Sequence, residues 1–426
     1  MEPSTNSISL SCHCGHARQT VTPRCTGNLF SDLSFCHCDT CRYTTGLLCT
    51  SYVPIASTPR PNFSGLLGYW TGPLSARYFC QTCGCHVFRA KRPSEFALED
   101  EWEWEVATGV IIDAPEEPDN NPQPKNWRHA HAEDTRDGGL SVWMPHTDNT
   151  LAFSSLSTAD THKTGPETEV DHDTPLLASC HCTAITLSIT RPRPFSPDNP
   201  GSPFPDLLLP YCSTPSATIA NPSNVKWYLR DPNPSLLEAE GRRHHRYLAG
   251  TCACPSCRQT SGFEIQTWAF IPRRNISIRH HEAGLQSSTS APGSTSPVYT
   301  YIPLDFGSHP SSSHSTTTAT PHPHLKAYES SPSKYRNFCG QCGATVFWHD
   351  DERPDLIDVS AGLFRSLSSG GSGTGEGARA EGWLEWWTGR VSFSEQAGKG
   401  RSGAAKAFGE GVVKWLEAGF GSPAAA

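Results

Sequence analysis

Three absences narrow what this chain can be. No run approaches the roughly 18 apolar residues of a membrane-spanning helix, and hydrophobic residues make up only 36% of the 426. Met1 to Leu10 is polar, with neither a basic start nor an apolar core, so no export signal is expected. Positive charge is not in excess: 34 Lys and Arg against 42 Asp and Glu leave a net charge of −8. That balance gives no electrostatic footprint for nucleic acid or an anionic membrane. The basic run Arg242-Arg243-His244-His245-Arg246 is expected to be a solvated loop. Together these set the expectation of an intracellular protein, cytoplasmic first, with the nucleus left open.

What the chain does have is cysteine, proline and glycine. With 36 Pro and 35 Gly, much irregular chain is expected around compact units. The 18 cysteines, in a chain expected to stay in a reducing compartment, read as metal ligands rather than disulfides.

Their spacing is specific. Cys36-His37-Cys38-Asp39-Thr40-Cys41-Arg42-Tyr43-Thr44-Thr45-Gly46 and Cys252-Ala253-Cys254-Pro255-Ser256-Cys257-Arg258-Gln259-Thr260-Ser261-Gly262 share the pattern C-x-C-x-x-C-R-x-T-x-G. Three thiols within six residues cannot all enter disulfides without strain. On a tight turn they converge on one centre about 2.3 Å away, which suits zinc. A trio of ligands leaves one corner of the tetrahedron for water or substrate, whereas a structural zinc is closed by four protein ligands.

The trios sit inside a longer repeat. Ser11-Cys12-His13-Cys14 precedes the first and Ser179-Cys180-His181-Cys182 the second. After each trio comes Y-x3-P-x3-R-x-F-C-x-x-C-G-x-x-V-F, from Tyr69 to Phe88 and again from Tyr328 to Phe347. Each outer pair of C-x-C and C-x-x-C supplies four thiolates, the set of a closed structural zinc. The length accommodates two such units: residues 9–147, a linker 148–177, and residues 178–420. Strands are expected near Val21, Leu47–Ile55, Val106–Ile111, Ile185–Ile189, Phe263–Ile271 and Asp355–Gly362. The second unit carries two Pro/Ser/Thr-rich inserts, 191–247 and 273–325, expected to be irregular and partly disordered. After a Gly/Ser run from Ser366 to Gly377, Ala405, Phe408, Val412 and Trp415 fall on one face of a short helix packed on the body.

Several residues carry two readings. The trios are open catalytic sites, or structural sites whose fourth ligand is His37, Cys49 or another side chain. Arg42 and Arg258, next to the last thiol of each trio, would offset the charge of a thiolate-rich site, or pair with a surface carboxylate. Thr44 and Thr260 are placed to hydrogen-bond a cysteine sulfur. Gly46 and Gly262 permit a turn. Arg77 and Arg336 reach an anionic ligand or form structural ion pairs. Tyr69 and Tyr328 read as core aromatics with satisfied hydroxyls. Cys25, Cys49, Cys85 and Cys212 have no counterpart in the other unit and read as buried thiols or loop residues.

The order C-x-C, C-x-C-x-x-C, C-x-x-C-G resembles the family of glutathione-dependent formaldehyde-activating enzymes and centromere protein V, and in its duplication the tandem members known in fungi. The resemblance implies a mainly β protein of two tandem zinc-containing β-tent (Mss4-like) domains, here with long irregular inserts and a short C-terminal helix. It implies two Zn²⁺ per domain: structural ions on Cys12, Cys14, Cys80 and Cys83 and on Cys180, Cys182, Cys339 and Cys342, and catalytic ions on Cys36, Cys38 and Cys41 and on Cys252, Cys254 and Cys257. The implied activity is that of a carbon–sulfur lyase whose partner is a small thiol such as glutathione or its aldehyde adduct. The family's centromere branch implies the alternative of a non-catalytic, zinc-stabilised interaction scaffold associated with chromatin.

Overall fold

A computed structural model describes residues 7–24, 28–98, 101–116, 126–144, 175–232, 244–281, 299–306, 322–365 and 377–421. The protein is mainly β. In the first unit a seven-stranded sheet runs in the order Arg128–Ala130, Ser34–Cys36, Thr50–Ile55, Glu103–Ala107, His86–Lys91, Ser75–Cys80, Leu66–Gly72. A small three-stranded sheet (Gln19–Val21, Ile8–Leu10, Ile111–Ala114) packs beside it. The second unit repeats this plan in the order Leu229–Arg230, Arg246–Cys252, Gln266–Pro272, Leu356–Ser360, Thr345–Asp350, Lys334–Cys339, Leu325–Ser331. Even the unusual edge is repeated: Arg128–Ala130 lies parallel to Ser34–Cys36, and Leu384–Trp386 parallel to Tyr247–Ala249.

These strands form where apolar and β-branched residues alternate between Gly-marked turns. Gly84 and Gly343 hold φ of +75° and +79° in the two C-x-x-C-G turns, a region that disfavours any residue with a Cβ. A Cβ on Gly84 would come within 2.5 Å of the Phe338 ring, and one on Gly343 within 2.4 Å of the Phe79 ring. Each Phe therefore seats on the other unit's turn.

Many contacts between the units come in reciprocal pairs. Gly109 N donates to Gly262 O at 3.0 Å and Gly362 N to Gly46 O at 3.2 Å. His13 N donates to Gln259 O at 3.0 Å and His181 N to Tyr43 O at 2.9 Å. Tyr328 Oη lies 2.7 Å from His13 Nδ1, and Tyr69 Oη 2.7 Å from His181 Nδ1. The two tyrosine hydroxyls are thus spent on linking the units. An approximate two-fold relation follows, as for the isologous contact of a homodimer, with both halves carried on one chain.

Three expectations need correction. The insert 191–247 is ordered over its described residues and packs its own apolar cluster, with Trp227 and Tyr228 buried against Leu207, Leu248 and Phe270. Within the basic run, Arg246 opens a buried strand and pairs with Glu385 at 2.7 Å. From the insert 273–325, Ile276–His281 and Tyr299–Pro303 extend the second unit's small sheet to four strands. Composition hid these elements because a few aromatic or alternating apolar residues suffice to anchor chain that is otherwise Pro- and Ser-rich.

The tail helix spans Gly403–Phe420. Although it follows the second unit in sequence, it packs on the first: Phe408 stacks on Phe30 at 4.4 Å, and Trp415 meets Trp127 at 5.1 Å. Phe408, Val412 and Leu416 are buried in the first unit's core, each contributing about 1.5–3 kcal/mol. Gly419 lets the helix touch Trp143, whose carbonyl oxygen would lie 1.9 Å from any Cβ there. The expected boundary at 178–420 therefore does not describe how the tail packs. Linker residues 148–174 and most of the Gly/Ser run (366–376) lie outside the described residues. Among the described residues no helix is long and apolar enough to cross a membrane.

Candidate functional site

Four cysteine clusters form, and they are the ones the spacing grouped: Cys12, Cys14, Cys80, Cys83; Cys180, Cys182, Cys339, Cys342; Cys36, Cys38, Cys41; and Cys252, Cys254, Cys257. Within each, every sulfur lies within 4.8 Å of the others. The sulfur–sulfur separations are 3.5 Å for Cys12–Cys14, 3.4 Å for Cys14–Cys80, 3.5 Å for Cys36–Cys38 and 3.4 Å for Cys36–Cys41. A disulfide would need about 2.05 Å, whereas four thiolates around an ion at about 2.3 Å sit about 3.8 Å apart. The all-sulfur donor sets fit a soft or borderline ion in tetrahedral geometry.

Each trio is built by the same local structure. Its first thiol ends a strand, at Cys36 and Cys252. The second caps a helix: Cys38 Sγ accepts from Cys41 N at 3.4 Å, and Cys254 Sγ from Cys257 N at 3.3 Å. The third sits in the first turn of the Asp39–Thr45 or Pro255–Ser261 helix. Those helices end at Gly46 and Gly262, with φ of +80° and +91°, which is the left-handed cap glycine favours.

Sequence neighbours and spatial neighbours then part company. Arg42 is buried, with its guanidinium on Asp39 at 2.6 Å and Tyr43 Oη at 3.1 Å. Arg258 donates to Gly109 O at 2.7 Å and Lys399 O at 3.1 Å. Burial, then the charge of Arg401, lowers Arg258 to about 9. The Arg42–Asp39 pair fits the second of the two readings given for these arginines, a guanidinium held by a carboxylate. Thr44 and Thr260 bond the carbonyls of Thr40 and Ser256 inside their helices rather than a sulfur.

The guanidiniums at the trios come from farther along the chain. Arg77 Nη2 donates to Cys41 Sγ at 3.0 Å, and Arg336 Nη2 to Cys257 Sγ at 3.5 Å. Both belong to the strand leading into the C-x-x-C turn, and the repeated Y-x3-P-x3-R block was the signal for them. Cys41 is held well below the ordinary thiol range by hydrogen bonds from Cys36 and Cys38, reinforced by Arg77 and Arg89. Cys257 is lowered in the same way by Cys252 and Cys254, then by Arg336 and the indole of Trp268. Each trio thus has one thiol whose surroundings favour the thiolate, the form a metal or an incoming electrophile requires.

His37 points away from its trio, with Nε2 2.8 Å from His129 Nδ1. Cys49 and Cys85 are buried, and Cys212 is exposed, with its thiol 2.9 Å from Glu395. Cys25 lies outside the described residues.

The second trio opens onto a cavity of about 670 Å³, within the range usual for small-molecule sites. Its walls draw on both units and the insert: His13 from the first unit, Leu207, Tyr211 and Trp227 from the insert, and Trp268, Phe270, Arg336 and Trp348 from the second sheet. On its polar side Arg353 bonds Asp358 at 2.7 Å, and burial pushes Asp358 up to about 6 against that pull.

No protein-family model, no curated protein and no solved structure matches this chain.

Proposed function

We propose that the protein is a zinc-dependent carbon–sulfur lyase of the glutathione-dependent formaldehyde-activating type, built from two tandem Mss4-like β-tent units and acting on thiol–aldehyde adducts. The reading is carried by the contrast between four-sulfur and three-sulfur clusters, with the second trio facing a cavity large enough for a substrate. The repeated cysteine order and its resemblance to that family support it.

The quartets would hold structural zinc and tie the ends of each unit together. The trios would hold the catalytic ions, and a zinc bound there supplies a Lewis acid and a template for the reacting sulfur and oxygen. Arg77 and Arg336 keep one sulfur of each trio anionic and offset the charge that a further thiolate brings. The cavity walls limit water and fix the orientation of the adduct, which reduces the entropic part of the barrier. For an S-hydroxymethyl thiol, the carbon–sulfur bond breaks with its electron pair passing to sulfur. The hydroxyl proton ends on the thiol, and formaldehyde leaves. No net acid, base or oxidant is consumed, and the reverse direction is addition.

The direct test is the breakdown rate of S-hydroxymethylglutathione with the zinc-loaded protein and a Cys38→Ser/Cys254→Ser double variant. The variant is expected to lose turnover while retaining its far-ultraviolet circular dichroism. Full turnover in the folded variant would contradict the proposal.

A further inference from the structure

The two trios share a frame but not its lining. Strand register makes the comparison residue by residue: Tyr52 pairs with Ala107 and Trp268 with Ser360, while Arg89 pairs with Glu105 and Trp348 with Asp358. Trp268 therefore stands where the first unit has Tyr52, and Trp348 where it has Arg89. Phe270 stands where the first unit has Pro54. The first lining is polar: Arg77 bonds Tyr52 Oη, and Arg89 stacks on the Tyr52 ring at 4.3 Å and pairs with Glu105. The second is a wall of indole and phenyl, closed from outside by insert residues Leu207, Tyr211 and Trp227.

Exchanging tyrosine for tryptophan also changes the arginine. An indole N–H only donates, so Trp268 cannot accept from Arg336 as Tyr52 does from Arg77. Among the described residues Nη1 of Arg336, the counterpart of the Arg77 nitrogen that bonds Tyr52, has no hydrogen-bond partner, although the residue is only 4% exposed and lines the cavity. An unpaired buried donor is costly, and a ligand oxygen beside the trio would satisfy it. Three carboxylates there are matched, Asp358 by Arg353 at 2.7 Å, Asp350 by Lys334 at 3.6 Å and Asp206 by Arg390 at 3.4 Å, while Lys399 at the rim leaves room for the charged end of the thiol. The cavity thus asks for a neutral aromatic body with one oxygen at its sulfur end.

We propose that the second trio's cavity selects thiol adducts of aromatic aldehydes, the ring lying among Trp268, Phe270 and Trp348 and the carbinol oxygen accepting from Arg336. This rests on reading the trio as a lyase site. The step is R–S–CH(OH)–Ar giving R–SH and Ar–CHO: the carbon–sulfur pair passes to sulfur, the hydroxyl proton ends on the thiol, and nothing is oxidised or reduced. A one-carbon adduct leaves the aromatic wall uncovered, whereas a ring of the same adduct removes it from water.

The test uses the full-length, zinc-loaded chain and two unreactive probes, S-benzylglutathione and S-methylglutathione, followed by titration calorimetry. The benzyl probe is expected to bind about tenfold tighter or better, a difference of about 1.4 kcal/mol or more. Trp348→Arg, which installs the first unit's residue, should remove that preference, and Tyr211→Ala in the exposed insert wall should weaken it. Equal binding of the two probes overturns the proposal, as does a preference indifferent to both variants. Turnover of the benzaldehyde–glutathione and formaldehyde–glutathione adducts separates the layers. Turnover of the formaldehyde adduct without ring preference overturns the aromatic site and leaves the lyase reading standing. Ring preference without turnover of either adduct overturns the lyase reading and, with it, the assignment of the ring to a substrate.

Discussion

Around the first trio the side chains are tyrosine, arginine and glutamate, tied to one another; around the second they are tryptophan and phenylalanine, facing open space. The thiol trio and the capped helix that presents it are the same in both. The repeat thus keeps the part that could hold an ion and varies its surroundings, so on the proposed lyase reading two sites on one chain would differ in what they accept while sharing one chemistry. The reciprocal interface gives a physical reason for keeping both: each unit's helix cap and C-x-x-C turn are packed against the other's, and neither would present these surfaces to water without cost.

The comparison is broken most severely by removing one trio at a time. Cys254→Ser should abolish turnover of an arylaldehyde adduct and leave the formaldehyde adduct to the first unit; Cys38→Ser should do the reverse. Each loss is expected to exceed about 100-fold, since even groups outside the ligand set typically cost 10–100-fold. Rates of both adducts with each variant, together with one metal lost per chain, check this. The next effect is Arg77→Gln against Arg336→Gln. Each removes a charged hydrogen bond to a thiolate, worth about 1.5–3 kcal/mol, and should weaken metal retention at its own trio in competition with a chromogenic chelator. Arg77→Gln is expected to cost more, because its contact is shorter, 3.0 against 3.5 Å, and Tyr52 loses its donor as well.

The sequence made the frame legible and the surroundings much less so. Cysteine spacing is a short-range signal, and a strand end, a capping thiol and a first-turn thiol converge almost inevitably once the helix forms. Adjacency along a chain is not adjacency in space: one residue further along a helix turns the side chain by about 100°, which takes Arg42 to Asp39 of its own helix and Arg258 to Gly109 of the first unit. Arg77 and Arg336 reach the sulfurs from 36 and 79 residues away, a distance that only the repeat bridges. The helical period of Ala405, Phe408 and Val412 was readable, but an apolar face does not say which unit it will cover. Trp227 was invisible as a cavity wall because its surroundings have the composition of a loop.

A smaller effect is expected of Trp268→Tyr. It offers Arg336 the hydroxyl acceptor that Tyr52 offers Arg77, and should reduce the preference for a benzyl over a methyl thioether several-fold, within the roughly 1 kcal/mol usual for one aromatic contact. The smallest is a pH effect where the first unit has His86 and the second Thr345. Burial, with Arg77 adding to it, lowers His86 to about 3 in the folded protein. Its neutral form is thus favoured, so its contribution is fully present above the unfolded value of about 6.5 and is lost as pH falls from there toward 3. By pH 5 the loss is about 2 kcal/mol. His86→Thr should flatten thermal stability between pH 7 and 5 relative to the parent; an unchanged slope would show that His86 is protonated as readily folded as unfolded.

The lyase reading requires that the quartets are closed and the trios open. Cobalt substitution reads this directly, because thiolate-to-cobalt absorption reports each ion's ligands. Four ions per chain are expected, with addition of a small thiol changing the spectrum of two and leaving the other two untouched. Two ions per chain, or four that no external thiol perturbs, would contradict it.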